Sequence, residues 1–279
     1  MYSLMFHCGR FRFELTHPLV MGILNVTPDS FFDGSRHSTV GSAVARARQM
    51  MDEGAAIIDV GGESTRPGAA PVTAQEEQRR VLPVIEALAA LSIPVSVDTR
   101  QPLVMQAAIA AGADMINDIS ALQTEDALRH IAGSNAAVCL MHMRGTPSTM
   151  QREPHYRDVV AEVTGYLAAR LAVAEAAGIG RERLVVDPGF GFGKNLTHNL
   201  TLLRRLSHFR ALGVPLLTGL SRKSMLGQLT GRSAAERLPA SLAAALAAVA
   251  QGAHIVRVHD VAATRDAIMV WRAVEEAGE

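Results

Sequence analysis

The chain has 279 residues, 48% of them hydrophobic, and no formal net charge at pH 7. A chain of this size can bury one large core, and the lack of a basic excess argues against a nucleic-acid partner. The sequence contains no recognisable signal peptide and no apolar stretch of bilayer length. Its two cysteines, Cys8 and Cys139, lie far apart. We therefore expect a cytoplasmic protein with reduced thiols and no membrane partner.

Residues 1–17 alternate between apolar and polar side chains, which predicts a short β segment. Eight apolar runs follow, each ending abruptly at a polar residue; they cover 19–25, 56–59, 93–98, 115–117, 137–142, 184–187, 214–221 and 254–259. The stretches between the runs have helical periodicity. Eight alternating strand and helix signals predict an α/β protein, a single (β/α)8 TIM barrel over 18–279 whose bottom is capped by the N-terminal β segment.

Helix boundaries are marked at both ends. Residues 73–76 and 233–236 have the pattern of capping boxes, which open helices. Five glycines follow helical stretches and predict helix ends, namely Gly54, Gly112, Gly178, Gly213 and Gly252. The loops 26–38, 61–73 and 144–154 are long and polar, so we expect them to overhang the face of the barrel where the strands end.

A barrel would collect the polar residues that end its strands around one bowl. These are Asn25, Asp98, Asn117, Asp187, Lys223, Arg257 and His259, with Arg66 reaching in from the second loop. The cations favour a phosphate or carboxylate ligand, and the carboxylates and carboxamides favour a flat heterocycle with alternating donors and acceptors. Only two of the 27 basic residues are lysines, Lys194 and Lys223, which singles out both positions.

The glycine-rich segment 187–195 does not fit a nucleotide-binding template. Pro188 stands where a P-loop needs its first glycine, and Asn195 replaces the required serine or threonine. Phe190 and Phe192 are available either to cover a ligand ring or to pack in the core. His142 lacks a partner pattern for zinc and is interpreted as a packed or hydrogen-bonded residue. No Gly-x-Ser-x-Gly motif supports a serine hydrolase.

Seven motifs, in order along the chain, resemble those of the dihydropteroate synthase family, the folate-pathway enzymes that sulfonamides inhibit. They lie at 21–31, 59–68, 96–99, 117–119, 187–195, 219–224 and 257–260, and the likeness extends from about Pro18 to Arg272. The resemblance implies condensation of 6-hydroxymethyl-7,8-dihydropterin pyrophosphate with p-aminobenzoate. The products would be 7,8-dihydropteroate and pyrophosphate, with Mg²⁺ as cofactor and an SN1-like cationic pterin intermediate.

The same resemblance implies roles for individual positions. Those that hold the pterin are Asp98, Asn117, Asp187 and Lys223, with Ile119 and Met141 against its faces. Those of the anion site are Asn25, Arg257 and His259, with Asn25 also a metal ligand. Those around p-aminobenzoate are Thr65, Arg66, Pro67, Phe192 and Ser224. Gly219 and Ser221 belong to the same substrate-binding set, and Asp59 is interpreted as a support for the second loop.

Two other functions remain open on the sequence alone. A pterin-binding methyltransferase of the same barrel type would not need the motif 64–67 or the pair Arg257 and His259, and all of these are present. A paralogue that binds pterin without condensing it would keep the whole pattern. The alanine-rich helix over 238–251 is either a homodimer interface, as the resemblance implies, or a helix packed tightly on the barrel.

Overall fold

A computed structural model describes residues 4–26, 36–63 and 72–277. Strands β1 (Met5–Cys8) and β2 (Phe11–Glu14) form an antiparallel hairpin. The eight strands that follow are β3 (Leu19–Asn25), β4 (Ile57–Gly61), β5 (Val95–Asp98), β6 (Met115–Asp118), β7 (Ala137–Met141), β8 (Leu184–Asp187), β9 (Leu217–Thr218) and β10 (Ile255–Val258). The hairpin and the eight later strands confirm the predicted elements.

Helices alternate with these strands, and two of them separate β9 from β10. They are α1 (Arg36–Asp52), α2 (Ala74–Ala89), α3 (Pro102–Ala110), α4 (Glu125–Ala132), α5 (Val159–Ala176), α6 (Leu196–Arg204), α7 (Ser224–Thr230), α8 (Leu238–Ala250) and α9 (Val261–Glu275). None of the helices in the described ranges is long and apolar enough to cross a bilayer.

All pairings among β3–β10 are parallel, in the order β8-β7-β6-β5-β4-β3-β10-β9. A bridge between Val186 and Leu216 joins the two outer strands. The sheet thus closes into the predicted TIM barrel, whose strand ends share one face. The predicted run 214–221 forms only a two-residue strand, which follows the bridge at Leu216. Pro215 has no N–H to donate and takes part only through its carbonyl oxygen, which accepts from the Val186 N–H at 3.0 Å.

The apolar residues form two layers, because successive side chains on a strand point to opposite faces. Ile58 and Val60 belong to the layer between strands and helices, whereas Ile57 belongs to the barrel interior. The interior layer continues into the hairpin through Phe6 and Cys8, both fully buried. The hairpin therefore closes the bottom of the barrel and leaves the opposite end for the site.

The predicted helix signals are confirmed with one change. Thr73 caps α2 by accepting from the backbone N–H of Glu76 at 3.3 Å. All five predicted helix-ending glycines have positive φ, from 67° at Gly213 to 103° at Gly112. The capping box at Ser233 opens a single turn of 3-10 helix, Ala234–Glu236, rather than an α-helix. The next α-helix begins at Leu238, immediately before Pro239.

Candidate active site

The strand register places several of the predicted polar residues side by side. Asn25 pairs with Gly61, Gly61 with Asp98, and Asp98 with Asn117 across β3 to β6. A Cβ added at Gly61 would lie 3.6 Å from Asn25 Oδ1 and 3.8 Å from Asp98 Cβ. The missing side chain at this position therefore lets the two predicted residues face one space.

Arg257 is at the centre of this space, where it joins two carboxylates. Its Nε donates to Asp59 Oδ2 at 2.5 Å, and a terminal guanidinium nitrogen donates to Asp98 Oδ2 at 2.8 Å. The Asn117 side chain donates to the same Asp59 oxygen at 3.1 Å. Four residues from four strands thus form one hydrogen-bonded cluster. Arg257 was assigned to the anion site from the sequence, and in the structure it also contacts Asp98, which was assigned to the pterin.

Burial shifts the proton affinities in this cluster. It raises the pKa of Asp98 to about 7, although Arg257 opposes that shift. Burial also raises the pKa of Asp187. Burial alone would lower the pKa of Arg257, but the carboxylates of Asp59 and Asp98 outweigh it and raise that pKa, so the guanidinium stays charged. Carboxylates with raised pKa values in a cleft are typical of functional sites.

The glycine-rich turn after β8 brings backbone close to Asp187. Gly189 has φ of +71° and donates its N–H to Asp187 Oδ1 at 2.7 Å. A Cβ at Gly189 would collide with the carbonyl oxygen of His142, so only glycine fits there. Phe190 is buried in the outer core layer, whereas Phe192 is only half-buried. The structure thus assigns Phe190 to packing and leaves Phe192 at the site.

The two lysines have different surroundings. Lys223 donates to the carbonyl oxygen of Phe190, and its ammonium lies 4.3 Å from the centre of the Phe192 ring. Burial lowers the pKa of Lys223 to about 8. Lys194 is buried behind the turn, 2.9 Å from both His142 Nδ1 and the carbonyl oxygen of Gly189. Lys223 therefore lies close to Asp187, Asp98 and Arg257, while Lys194 and His142 support the turn.

A second polar group lies after β9 and β10. Ser221 Oγ is 2.9 Å from His259 Nδ1 and accepts from the His259 backbone N–H at 3.2 Å. The next residues of the two loops, Arg222 and Asp260, form a double ion pair at 2.6 and 3.0 Å. Arg222 has φ of +58°. The strained backbone of Arg222 is thus held by an ion pair that ties the two loops together.

The remaining described positions form the walls. Ile119 and Met141 are 4% and 3% exposed and directly follow or end adjacent strands. No atom of the described residues lies within 4 Å of where a Cβ would stand at Gly219, so there is open space beside it. Ser224 is exposed at the first residue of α7. These positions fit a flat ligand between apolar side chains.

Thr65, Arg66 and Pro67 lie outside the described residues, as does most of the first loop. The described ends of the second loop are held by Glu63, which accepts from the Val72 N–H at 3.3 Å and pairs with Arg100 at 3.5 Å. Among the described residues, Asp59 makes no hydrogen bond or ion pair with either end. It contacts Arg257 and Asn117 instead, so our interpretation of Asp59 as a loop support is replaced by a place inside the site.

Among the described residues, no group of three or more His, Cys, Asp or Glu side chains could hold a metal ion. Mg²⁺, however, keeps several waters and is often held by one or two protein oxygens together with substrate phosphates. The Asn25 carboxamide oxygen, which faces the space beside Asp98, fits that donor set. The residues present are thus compatible with a metal that arrives with a phosphorylated ligand.

Comparison with known proteins agrees with this geometry. The model of a family described as pterin binding enzyme matches residues 21–259. The dihydropteroate synthase of Escherichia coli K12 is 54% identical over 267 residues, covering 95% of each chain. The structure of the Xanthomonas albilineans dihydropteroate synthase with 4-aminobenzoic acid is 52% identical, covers 99% of both chains and has a TM-score of 0.92.

A product complex is also similar. The Burkholderia cenocepacia dihydropteroate synthase complexed with 7,8-dihydropteroate is 49% identical, with a TM-score of 0.91 over 99% of this chain and 98% of that one. About half of the residues are identical over almost the full length, and the family model matches as well. These two findings show which family the chain belongs to. It belongs to the pterin-binding enzyme family and, within that family, to the dihydropteroate synthases.

Proposed function

We propose that this chain condenses 6-hydroxymethyl-7,8-dihydropterin pyrophosphate with p-aminobenzoate to give 7,8-dihydropteroate and pyrophosphate, a step of folate biosynthesis. The observation that carries the proposal is the cluster of Asp98, Asn117 and Arg257 at the strand ends, close to Asp187 and Lys223. Buried carboxylates, a carboxamide and two cations match a flat heterocycle that carries an anionic leaving group. Relatives that contain 4-aminobenzoic acid or 7,8-dihydropteroate support the same substrates.

Pterin recognition is assigned to the barrel floor. Asp98 and Asp187 would accept hydrogen bonds from pterin N–H groups. The Asn117 amide would both donate to the pterin and accept from it, and Lys223 would donate to an acceptor atom of the ring. The side chains of Ile119 and Met141 would pack against the two faces of the ring. Because all of these groups except Lys223 sit on strands or directly after them, their spacing is fixed by the barrel.

The leaving pyrophosphate is assigned to the side of the site formed by Arg257, Ser221 and His259, together with Arg66. Charge grows on the bridging oxygen as the carbon–oxygen bond breaks, so fixed donors there stabilise the transition state more than the ground state. Mg²⁺, held by Asn25 and the substrate phosphates, would supply further positive charge at that oxygen. The departing electron pair goes with the pyrophosphate.

We further propose that bond cleavage precedes attack, leaving a pterin with a cationic methylene group. A buried, ionised Asp98 lies among the groups that would hold the pterin and favours such a cation. Because burial raises the pKa of Asp98 to about 7, its charge is available only near or above neutral pH. An uncharged amine then attacks the methylene carbon, which forms the carbon–nitrogen bond, and the resulting ammonium gives up one proton to solvent water.

Positioning of p-aminobenzoate is assigned to Phe192, Ser224, and the loop residues Thr65, Arg66 and Pro67. The aniline nitrogen is a weak base, so its orientation matters more than its deprotonation. Holding two reactants in the right geometry is worth roughly 7 to 11 kcal/mol in favourable cases. The half-buried ring of Phe192 beneath Lys223 offers an aromatic face at the mouth of the site.

Incubation of the protein with the pterin pyrophosphate, Mg²⁺ and p-aminobenzoate tests the proposal. We expect pyrophosphate release that depends on the amine, and formation of dihydropteroate detectable by mass spectrometry. Pterin binding without release would indicate a non-catalytic paralogue. Methyl transfer from a methylated folate to a corrinoid would indicate the methyltransferase of the same barrel type. Either result would overturn the synthase assignment.

We also propose a homodimer formed through α8 and α9. One face of α8 packs on the barrel through Ala244, Ala245 and Ala248, so tight packing explains part of its composition. An adjacent, half-buried face forms an apolar groove with α9, bordered by Leu242, Leu246 and Val270. Val270 is 67% exposed.

Measuring the mass of the protein in solution tests the proposed dimer. Val270→Glu is expected to yield monomers, whereas Leu229→Glu, on α7, is expected to leave the dimer intact.

A cytoplasmic location is part of the same proposal. The two cysteines are free and buried, at the bottom and in the middle of the barrel interior. Proteins of oxidising compartments usually pair their cysteines. Fractionation of the source cells tests it, and recovery of the protein in a secreted fraction would contradict it.

A further inference from the structure

Asp59 lies in the middle of β4 rather than at its end, and its side chain is fully buried. It shares the barrel-facing side of β4 with Ile57, since side chains alternate along a strand and Ile58 and Val60 belong to the outer core layer. Asp59 is thus the deepest carboxylate of the site, directly above the apolar floor of the barrel.

One oxygen of Asp59 receives two hydrogen bonds, from Arg257 Nε at 2.5 Å and from Asn117 Nδ2 at 3.1 Å. Its other oxygen, Oδ1, is buried and has no hydrogen-bond partner among the described residues. Both donors belong to side chains that the proposed function places against the substrate. Asp59 itself lies one layer below them.

The contact with Asn117 determines which way that amide faces. A carboxylate only accepts hydrogen bonds, so the amide nitrogen must face Asp59 and the amide oxygen must face away from it. One of the two amide hydrogens is used in this contact. The carbonyl oxygen and the second hydrogen remain, in a fixed orientation, for a ligand.

The contact with Arg257 fixes the guanidinium in the same way. Asp59 binds its Nε edge while Asp98 binds a terminal nitrogen, so two carboxylates determine both the position and the plane of the group. Without Asp59, only Asp98 would hold the guanidinium. It could then rotate about that single contact.

Stability alone does not explain this arrangement. A buried ion pair contributes little to stability compared with apolar residues of similar volume, because both charges lose their hydration. The unpartnered Oδ1 atom adds a further unfavourable contribution. A residue kept at this cost, and bonded to two groups of the site, is better explained by what it does to those groups.

We propose that Asp59 is a positioning residue that sets the orientation of the Asn117 amide toward the pterin and holds the Arg257 guanidinium in place for the leaving anion. The inference rests on the proposed function, because it is that function which gives Asn117 and Arg257 their ligands. Asp59 itself does not touch the substrate.

The test compares Asp59→Asn with Asp114→Asn. Asp114 is the matched control because it is also a buried aspartate paired with an arginine, Arg10, but at the bottom of the barrel. For Asp59→Asn we expect kcat/KM for the pterin pyrophosphate to fall about 100-fold, because displacing a group of the site by about 1 Å can have an effect of this size. Binding of 6-hydroxymethyl-7,8-dihydropterin alone should weaken about tenfold.

For Asp114→Asn we expect a loss of thermal stability with kcat and KM unchanged for the folded fraction. Kinetics for Asp59→Asn within twofold of the starting protein, or equal to those of Asp114→Asn, would contradict the proposal. If Asp59→Asn does not fold, Asp59→Ser replaces it, since it removes the charge with fewer buried polar atoms. Failure of both variants to fold while Asp114→Asn folds would show that Asp59 serves stability instead.

A coupling measurement separates positioning from a general structural effect. In an Asn117→Ala background, Asp59→Asn should weaken dihydropterin binding much less than it does alone, because the group that Asp59 orients is gone. Additive effects would contradict the proposal. If the unmodified protein releases no pyrophosphate with p-aminobenzoate, the proposed function fails, and the dihydropterin binding series still decides the role of Asp59.

Discussion

Each end of the barrel contains a buried aspartate paired with an arginine, but the two pairs differ. At the bottom, Asp114 accepts from Arg10 Nε at 2.9 Å and from a terminal nitrogen at 3.0 Å, and also from the backbone N–H groups of Arg10 and Val95, each at 3.2 Å. Both of its oxygens are satisfied. At the top, Asp59 shares one oxygen between two donors, and its other oxygen makes no hydrogen bond with the described residues.

The difference teaches what each end is built for. The bottom pair joins the N-terminal hairpin to β5 and β6 and leaves no polar group unpartnered, so it helps to seal the barrel. The top cluster takes charged groups out of water, and this burial raises the pKa of Asp98 and lowers that of Lys223. Departures from the best local stability are typical of functional sites.

Because the bottom of the barrel seals the core, a substitution there should lower stability strongly and leave the catalytic rate unchanged. Phe6 is fully buried beneath the barrel, with its ring 6.1 Å from that of Phe13. Phe6→Ala should lower the free energy of unfolding by about 3–5 kcal/mol, measured by urea titration. Below its melting transition the variant should keep kcat and KM. Phe13→Ala, whose ring is only half-buried, is the control and should lose less.

The top end predicts the opposite result. Asp98→Asn removes a charge that the proposed mechanism uses to stabilise the pterin cation, but keeps an acceptor for Arg257. We expect kcat/KM to fall by about 100- to 1000-fold, with pterin binding weakened and the melting temperature little changed. Steady-state kinetics and calorimetry measure both. Unchanged kinetics would remove Asp98 from the site, and the comparison of the two ends would lose its main support.

The pKa values at the top also predict how activity depends on pH. Burial raises the pKa of Asp98 to about 7 and lowers that of Lys223 to about 8. Below pH 7, Asp98 takes up a proton and loses its charge, and above pH 8, Lys223 loses its proton. The plot of kcat/KM against pH should therefore be bell-shaped, with its maximum between these values and limbs that fall about tenfold per pH unit.

Asp98→Asn serves as the control for this profile, since it should abolish the acidic limb and leave the basic one. A Phe6→Ala variant should keep both limbs. A flat profile for the unmodified protein between pH 6 and 9 would contradict the assignment of both groups; these limits bracket the two values by about one unit.

The smallest effect is expected for the exposed partner of the bottom pair. Half of the Arg10 side chain is exposed, and Asp114 keeps two backbone donors when it is removed. Arg10→Ala should cost only about 0–1 kcal/mol of stability, measured by urea titration, and leave kinetics unchanged. A loss above about 2 kcal/mol would show that the ion pair contributes more than the backbone contacts do.

The fold could be predicted because its signals are local and repeat along the chain. Each strand is an apolar run, several helices have a cap or a terminal glycine, and eight units allow few arrangements. The run 214–221 was less informative, because composition does not show that only Leu217–Thr218 forms a strand and that Leu216 adds a single bridge. The Ser233 pattern was confirmed as a capping box, but a 3-10 turn was preferred before the proline of α8.

The residues at strand ends could be predicted, because the end of each strand is visible in the local sequence. Contacts between strands on different sides of the barrel could not be predicted in this way. Asp59 closes an apolar run, but β4 continues to Gly61, so the residue lies inside the barrel. Its alternation with Ile57 was the available signal. The role of Lys194 was also hidden, since only the folded turn shows its ammonium among the carbonyl oxygens of His142, Gly189 and Phe192. Lysine offers three N–H donors from one nitrogen, which matches these three acceptors.

The short strand β9 has a consequence for motion in the molecule. It forms only two residue pairs with β10, and one bridge together with the hydrogen bond from the Val186 N–H to the Pro215 oxygen connects its segment to β8. The barrel therefore has a seam with few hydrogen bonds, and amide exchange should be faster there than along the other strand pairs of the barrel. Asp187 lies on one side of the seam and Lys223 on the other, where Lys223 holds the Phe190 carbonyl across it. Small opening motions at the seam would therefore change the width of the site without disturbing the rest of the barrel.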